Sequence, residues 1–211
     1  MKPFVAVVDY GIGNLRSAEK ALCRAGADAR LVTSAADIDR ADGVVLPGVG
    51  NFGECREALA DSGMWEATLS ALRSGRPFFG ICVGMQLLYE GSDESPGAEG
   101  FGVFAGKVAL LPAGVRRPQM QWNVLTLRDD VVGASGPTVL LHGYEVGAWV
   151  YFVHSYSAPI GPETVATCEY GGPVAAAVEA GSIWATQFHP EKSSTVGLGI
   201  LGNFVARCAG G

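Results

Sequence analysis

The first half of the chain alternates short apolar runs with segments whose apolar residues recur at helical spacing. The apolar runs, which predict buried strands of a parallel sheet, cover residues 3–8, 29–33, 43–46 and 77–81. One pattern with helical spacing follows Asn14, which we interpret as a helix N-cap. A second covers residues 51–74, with a break near Gly63. A further helix is predicted from the end of the last strand through Leu88. This alternation predicts an α/β fold with a mostly parallel central sheet and flanking helices.

The half after Gly97 has a different pattern, in which Pro and Gly separate many short β-rich runs. These runs are residues 107–111, 122–127, 138–141, 149–153, 164–170, 174–179 and 183–187. Such spacing predicts hairpins and an antiparallel extension of the sheet in the C-terminal half. A final helix is predicted over residues 194–208. Because there is no linker, repeat or low-complexity tract, we expect residues 1–211 to form a single domain.

Composition and charge narrow the function classes. Hydrophobic residues make up 48% of the chain and charged residues 17%, which is enough apolar material for a packed core. The net charge of −6 argues against a nucleic-acid partner, because nucleic-acid binders carry a basic surface. No apolar stretch is long enough to span a bilayer and the N-terminus does not read as a signal peptide. We therefore expect a cytoplasmic protein with no membrane partner.

The five cysteines are not arranged as a metal site, because no two have the short spacing of zinc ligands. Disulfides are not expected without an export signal. No metal or cofactor is predicted. Most of these cysteines are interpreted as small apolar core residues, and one calls for a different explanation.

That cysteine is Cys82, in the run Gly-Ile-Cys-Val-Gly at residues 80–84. The run follows an apolar strand and precedes a helical pattern, which is typical of a nucleophile elbow with Cys in place of Ser. The flanking glycines fit a tight turn in which side chains would collide, and the backbone N–H of Val83 is positioned to help hold an oxyanion. The alternative is a structural cysteine that happens to lie between glycines.

A thiol nucleophile needs a base, and His189 is the best candidate of the three histidines. It directly follows a β-rich run, and Pro190 favours an extended backbone before it. Glu191, two residues further on, is close enough to orient the imidazole. Taken alone, His189 would be a hydrogen-bonded strand-end histidine and Glu191 a solvated acid. The elbow changes this interpretation, although the sequence does not show that the segments meet.

The two segments resemble the two signatures of the class I, or triad-type, glutamine amidotransferases. They are Gly-Ile-Cys-Val-Gly-Met-Gln at residues 80–86 and Gln-Phe-His-Pro-Glu-Lys-Ser at residues 187–193. Three further segments, residues 9–15, 47–53 and 152–156, resemble the glutaminase-subunit subfamily of imidazole glycerol phosphate synthases. The resemblance covers nearly the whole chain, and the motifs keep their order.

This resemblance implies that Cys82, His189 and Glu191 hydrolyse glutamine to glutamate and ammonia. It also implies an oxyanion strand and a glutamine pocket, made by Gly48, Val49, Gly50, Val83, Gln86, Ser155 and Tyr156. In isolation, the glycine-rich strand would be an ordinary turn and Gln86 a polar residue on a first helical turn. We interpret His154 as a hydrogen-bonded strand histidine.

The resemblance further implies a heterodimer partner, a (β/α)8-barrel cyclase subunit that uses the ammonia in histidine biosynthesis. In the subfamily, the partner contacts correspond to Asn14, Trp122 and Asn123. An exposed Trp is also a common interface anchor, although a Trp is equally at home in a core. The run at residues 118–123 reads Pro-Gln-Met-Gln-Trp-Asn, where the subfamily usually has Pro-His-x-Gly-Trp-Asn. This departure affects the local turn and docking and leaves the triad untouched.

Four other functions fit the sequence less well. A dinucleotide site at residues 11–13 lacks the third glycine, because Arg16 takes its position. Amidotransferase subunits of other pathways do not match the motif at residues 9–15 as closely. A Cys–His peptidase would not explain Gln86 or the strand at residues 47–50. A non-catalytic binding protein would not explain an intact Cys, His and Glu.

Overall fold

The computed structural model describes residues 1–128, 138–144 and 147–210. Its first half alternates strands and helices, as the apolar pattern predicts. The elements are β1 (Phe4–Val8), α1 (Leu15–Arg24), β2 (Asp28–Val32), α2 (Ala35–Arg40), β3 (Gly43–Gly48), α3 (Phe52–Asp61), α4 (Trp65–Arg73), β4 (Phe78–Cys82) and α5 (Val83–Gln86). Strands β1, β3 and β4 are almost wholly buried, because helices cover both faces of the sheet.

The second half is rich in short strands. It contains β5 (Tyr89–Ser92), β6 (Phe104–Leu110), β7 (Gln119–Val124), β8 (Thr126–Leu127), β9 (Trp149–His154), β10 (Tyr156–Ser157), β11 (Thr164–Glu169), β12 (Pro173–Ala180), β13 (Ile183–Thr186), a 3₁₀ turn (Pro190–Lys192) and α6 (Ser194–Cys208). The predicted final helix is confirmed at both ends.

The central sheet has the strand order β2-β1-β3-β4-β13-β12-β11-β8 among the described residues. Strands β2, β1, β3, β4 and β13 run parallel to one another. Strands β12, β11 and β8 continue the sheet antiparallel. The predicted fold class, a mostly parallel sheet with an antiparallel C-terminal extension, is therefore confirmed.

Strand β13 is the junction between these two parts. It pairs parallel with β4, with Thr186 opposite Ile81, and antiparallel with β12. The carboxyl ends of β3, β4 and β13 consequently lie side by side at one edge, where Gly48 is also paired with Cys82. This edge is where a parallel α/β sheet places its functional groups.

Two local predictions were wrong, and one helix was not predicted. Helix α2 is a short helix that the sequence pattern did not predict, although Ser34 caps it through a bond from the Asp37 amide at 3.3 Å. Residues 138–141 form a turn and not a strand. Helix α5 ends at Gln86, a single short turn that stops before Leu88.

Two small sheets lie beside the main one. Strands β10, β6 and β5 form one, and β7 pairs antiparallel with β9 to form the other. The core contains fully buried aromatic side chains, including Phe79, Trp184 and Phe204, which stack edge to face. In the parts of the chain that the structure describes, no helix combines the length and apolar character needed to cross a membrane.

Candidate active site

Cys82 is the last residue of β4 and the residue directly before α5. Its φ of +56° places a non-glycine residue in the left-handed region, which L-residues rarely occupy. The thiol is buried, with only 3% of the residue exposed. This strained strand-to-helix turn has the geometry that the elbow motif predicts.

The glycines of the elbow are needed because the backbone packs closely there. A Cβ atom added to Gly80 would lie 2.7 Å from the Gly84 carbonyl oxygen, and one on Gly84 would collide with the Leu46 carbonyl oxygen. A Cβ atom on Gly48 would lie 2.8 Å from the Gly84 nitrogen. The ends of β3 and β4 are therefore held against each other with no room for side chains.

His189 and Glu191 follow β13, the parallel neighbour of β4. The His189 Nδ1 atom lies 2.8 Å from Glu191 Oε1, and the two side chains are only 2% and 1% exposed. The His189 Nε2 atom is buried and has no hydrogen-bond partner among the described residues, and the residue lines the same cavity as Cys82. The structure thus brings the three predicted residues together.

The electrostatics of the pair favour an ion pair. Burial alone would lower the pKa of His189, but the neighbouring Cys82 and Glu191 side chains outweigh it and raise that pKa to about 10. Burial would raise the pKa of Glu191, whereas its bond to His189 and a further bond from Asn14 hold it below its usual value. The acid therefore stabilises the charged form of the imidazole.

Asn14 has a different role from the helix cap that we predicted. It stands at the N-terminus of α1, but its side chain makes no capping bond. Instead, its Nδ2 atom donates to Glu191 Oε1 at 2.9 Å, across 177 positions of the chain. Asn14 therefore occupies the predicted N-cap position, but its side chain is directed to this distant carboxylate and does not bond to the amides of the first turn.

A cavity of about 240 Å³ opens beside the thiol. Its lining includes the predicted residues Val49, Gly50, Cys82, Val83, Gln86, Ser155, Tyr156 and His189. Gly48 is not part of the lining and lies behind it, packed on the elbow. The volume lies below the roughly 300–1,000 Å³ of sites for drug-sized ligands, which suits a molecule as small as an amino acid.

Two glutamines fix the wall of this cavity. Gln86 Nε2 donates to Tyr156 O and to Gln187 Oε1, both at 3.0 Å. Gln187 Nε2 in turn lies 3.7 Å from the Cys82 sulfur. Gln187 was not among the predicted site residues, although it stands in the same motif as His189.

Glu94 lines the cavity and was not among the predicted site residues. Its Oε2 atom accepts a bond from the Phe52 amide at 2.8 Å, which anchors the carboxylate at the start of α3. The chain offers the neighbouring acids Asp93 and Glu94, and no pattern in the sequence distinguishes the one that faces the cavity.

His154 also lines the cavity, from strand β9. Its Nδ1 atom lies 2.9 Å from Tyr156 O, in agreement with a hydrogen-bonded strand histidine. Burial, reinforced by the charge of His189, lowers its pKa to about 4, so this imidazole is neutral at ordinary pH.

Strands β7 and β9 form a two-stranded antiparallel ribbon that carries exposed apolar side chains. Trp122 is 45% exposed, Trp149 is 56% exposed and Met120 is 62% exposed. Asn123 donates through Nδ2 to Glu169 O at 2.9 Å. Gln119, the first departure from the subfamily pattern, is buried against Cys168, while Gln121 is exposed.

Within the described ranges, no group of three His, Cys, Asp or Glu side chains is arranged to hold a metal ion.

Known sequences match this chain over nearly its whole length. The family described as Glutamine amidotransferase class-I matches residues 6–208. An imidazole glycerol phosphate synthase subunit HisH from Deinococcus radiodurans is 46% identical over 206 residues, which cover 96% of this chain and 93% of that protein. The protein of the same name from Methanothermobacter thermautotrophicus is 44% identical over 202 residues, or 95% and 97% of the two chains.

Solved structures share the fold. A crystal structure of a glutamine amidotransferase superposes with a TM-score of 0.73 at 20% identity, covering 98% of this chain and 99% of that one. The PurLQS structure from Thermotoga maritima gives a TM-score of 0.70 at 22% identity, with 99% and 97% covered.

Proposed function

The chain belongs to the class-I glutamine amidotransferases, and from this premise we propose that Cys82, His189 and Glu191 are its catalytic triad. Its relatives identify it as the glutamine amidotransferase component of an imidazole glycerol phosphate synthase, in histidine biosynthesis. One observation supports the assignment of the triad most strongly. A buried His–Glu pair stands beside a strained Cys on the neighbouring strand, and all three lie at the same edge of the sheet.

The proposed reaction proceeds through a thioester. The Cys82 sulfur attacks the side-chain amide carbon of glutamine, and His189 holds the thiol proton. The tetrahedral intermediate collapses when the C–N bond breaks, and His189 transfers its proton to the departing nitrogen, which leaves as ammonia. A water molecule then attacks the thioester carbon and gives its proton to His189. The C–S bond breaks, glutamate leaves, and the sulfur of Cys82 takes the proton back from His189. Glu191 orients the imidazole and stabilises its charged form throughout.

Glutamine binding is proposed to use the polar groups of the cavity wall. The Glu94 carboxylate would bind the α-amino group, because a buried cation needs an opposite charge. N–H groups of residues 48–50 and of Val83 would stabilise the negative oxygen of the intermediate. Gln86 and the segment of Ser155 and Tyr156 would shape the pocket around the substrate.

The partner is proposed to be a (β/α)8-barrel cyclase subunit, in a cytoplasmic heterodimer that residues 1–211 enter as one domain. It would take the ammonia and form imidazole glycerol phosphate and aminoimidazole carboxamide ribotide. The exposed ribbon with Trp122 and Asn123 supports a docking surface there, because desolvated Trp side chains are common interface anchors. Asn14 is proposed as a further contact. No cofactor is required by this chemistry.

A glutamine-derived diazoketone tests the triad directly. The protein, with and without the cyclase, is incubated with the reagent, and the labelled residue is located by mass spectrometry. We expect labelling at Cys82 that an excess of glutamine prevents. Labelling confined to other cysteines such as Cys55, or none with the cyclase present, would contradict the proposal. Equal protection by an unrelated amino acid would argue against a glutamine pocket.

A further inference from the structure

The segment at residues 47–50 has two carbonyl oxygens that accept hydrogen bonds from buried side chains. Tyr10 Oη donates to Pro47 O at 2.7 Å, and Cys55 Sγ donates to Val49 O at 3.2 Å. Tyr10 lies just after β1 and Cys55 lies in α3, so the two donors reach the segment from different elements. Neither donor lines the cavity beside Cys82.

These two bonds fix the direction in which the peptide groups point. In a trans peptide, the carbonyl of one residue and the N–H of the next point to opposite sides. Cys55 is fully buried, so the Val49 carbonyl is directed into α3 and not into the cavity. The N–H of Gly50 therefore leaves the segment on the side away from Cys55, and Gly50 lines the cavity with Cys82.

Both donors keep their protons at ordinary pH. Burial raises the pKa of Tyr10 far above its usual value, and burial raises the pKa of the Cys55 thiol to about 11. The two side chains also interact with each other, because each contributes to the pKa of the other. A Cβ atom on Gly48 would lie 3.0 Å from the Tyr10 hydroxyl, so the donor is in close contact with the segment.

We propose that Tyr10 and Cys55 are positioning residues for the oxyanion hole, a role that rests on the proposed function of Cys82. A carbonyl oxygen turned toward the substrate would repel the oxygen that becomes negative, whereas an N–H group stabilises it. By binding the carbonyls of Pro47 and Val49, the two side chains keep these oxygens out of the cavity. Their contribution is realised in the transition state, because the charge on the substrate oxygen develops only there.

The test compares variants in the complex with the cyclase. Tyr10→Phe removes only the hydroxyl, and Cys55→Ala removes the thiol. Each is expected to lower kcat for glutamine hydrolysis about 10-fold with little change in KM, since one positioning hydrogen bond is lost. Synthesis from added ammonia should keep the wild-type rate. Cys55→Ser, which retains a donor, should recover part of the lost kcat.

Two controls separate positioning from folding. Cys168→Ala removes a buried sulfur of similar burial from β11, outside the site, and should leave kcat unchanged. Alkylation of Cys82 by iodoacetamide develops no oxyanion, so it should proceed at the wild-type rate in Tyr10→Phe and Cys55→Ala. A parallel fall in alkylation and in ammonia-dependent synthesis would show that the residues support the fold instead.

Unchanged kcat in both variants, with normal thermal unfolding, would overturn the positioning role. A rise in KM at constant kcat would do the same, because it would indicate uniform binding of glutamine. Failure of the proposed function looks different. In that case the wild-type complex itself hydrolyses no glutamine, or Cys82→Ala retains the activity, and the positioning role falls with it.

Discussion

Two regions of this protein, the carboxyl ends of three central strands and the β7–β9 ribbon, differ sharply in burial and in chemical character. At the carboxyl ends of β3, β4 and β13, polar and reactive groups are almost completely buried and hold one another by hydrogen bonds. On the β7–β9 ribbon, large apolar side chains are exposed to solvent. Globular proteins usually have the reverse arrangement, with apolar groups inside and charged groups outside.

Each inversion indicates a function. Burying an ion pair is costly unless every partner is in place, so the buried His189–Glu191 pair fits the proposed catalytic role better than a role in stability. Exposing Trp122 and Trp149 on one ribbon is unfavourable for a chain alone in water and favourable for one that binds a partner. The comparison predicts that substitutions at the strand ends affect the reaction, whereas substitutions on the ribbon affect assembly.

The largest expected effect is that of Cys82→Ala. Glutamine-dependent synthesis by the complex should be abolished, because no other thiol lines the cavity in the described part of the chain. Synthesis from added ammonia should be unchanged, since the cyclase chemistry does not use this thiol. Steady-state rates with each nitrogen source measure the two activities. Loss of both would mean that Cys82 supports the fold or the complex.

Glu191→Gln should have the next largest effect. Without the carboxylate, the imidazole keeps the effect of Cys82 but loses that of Glu191, one of the two neighbours that raise its pKa, so kcat for glutamine hydrolysis should fall about 100-fold. Measuring kcat against pH should also show the ionisation of His189 moved to lower pH. Glu57→Gln, which changes an exposed acid of α3, is the matched control and should retain full activity. A kcat within a factor of two of wild type in Glu191→Gln would remove the acid from the triad.

Trp122→Ala tests the proposed role of the β7–β9 ribbon in assembly. The dissociation constant for the cyclase should rise about 10- to 100-fold, since an exposed Trp anchor is lost. Titration by isothermal calorimetry measures this constant, and the saturated complex should keep the wild-type kcat. Ile160→Ala shortens a comparably exposed apolar side chain away from the ribbon and should bind normally. Equal affinities for Trp122→Ala and wild type would place the docking surface elsewhere.

The smallest effect concerns stability and His154. Its folded pKa of about 4 lies below the value in the unfolded chain, so the unfolded chain binds a proton that the folded chain does not. Stability should therefore be fully present above about pH 6.5 and decrease as the pH falls toward 4. Between about pH 7 and pH 5, wild type should lose about 2 kcal/mol more unfolding free energy than His154→Gln. Urea unfolding at the two pH values measures the difference, and equal losses would show that His154 is not the group responsible.

The parallel half of the fold could be predicted because its strands are buried on both faces and read as continuous apolar runs. Helix α2 could not, because Ile38 is its one buried residue and a six-residue helix shows no apolar stripe. Residues 138–141 have the composition of a strand, yet Thr138, Val139 and Leu140 all donate to the Glu179 carboxylate. A side chain some forty positions away therefore fixes that turn.

The candidate site also combines residues that the sequence could predict with residues that it could not. Cys82 and His189 could be predicted from local motifs, because a nucleophile elbow and a strand-end His-Pro are steric patterns within a few residues. Glu94, Gln187 and Asn14 depend on contacts across the fold. Asn14 reaches a carboxylate 177 positions away, and no local pattern distinguishes such an amide from a helix cap.

The position of β13 in the sheet affects the order in which the parts of the site come together during synthesis and folding. Gln187 and Cys82 are 105 positions apart, and β4 has an open edge until β13 pairs with it. While the chain is being synthesised, Cys82 therefore emerges long before His189. A newly made thiol without its imidazole partner is a weak nucleophile. The candidate site is thus completed only when β13 is inserted beside β4, and until then the Cys82 thiol has no imidazole neighbour.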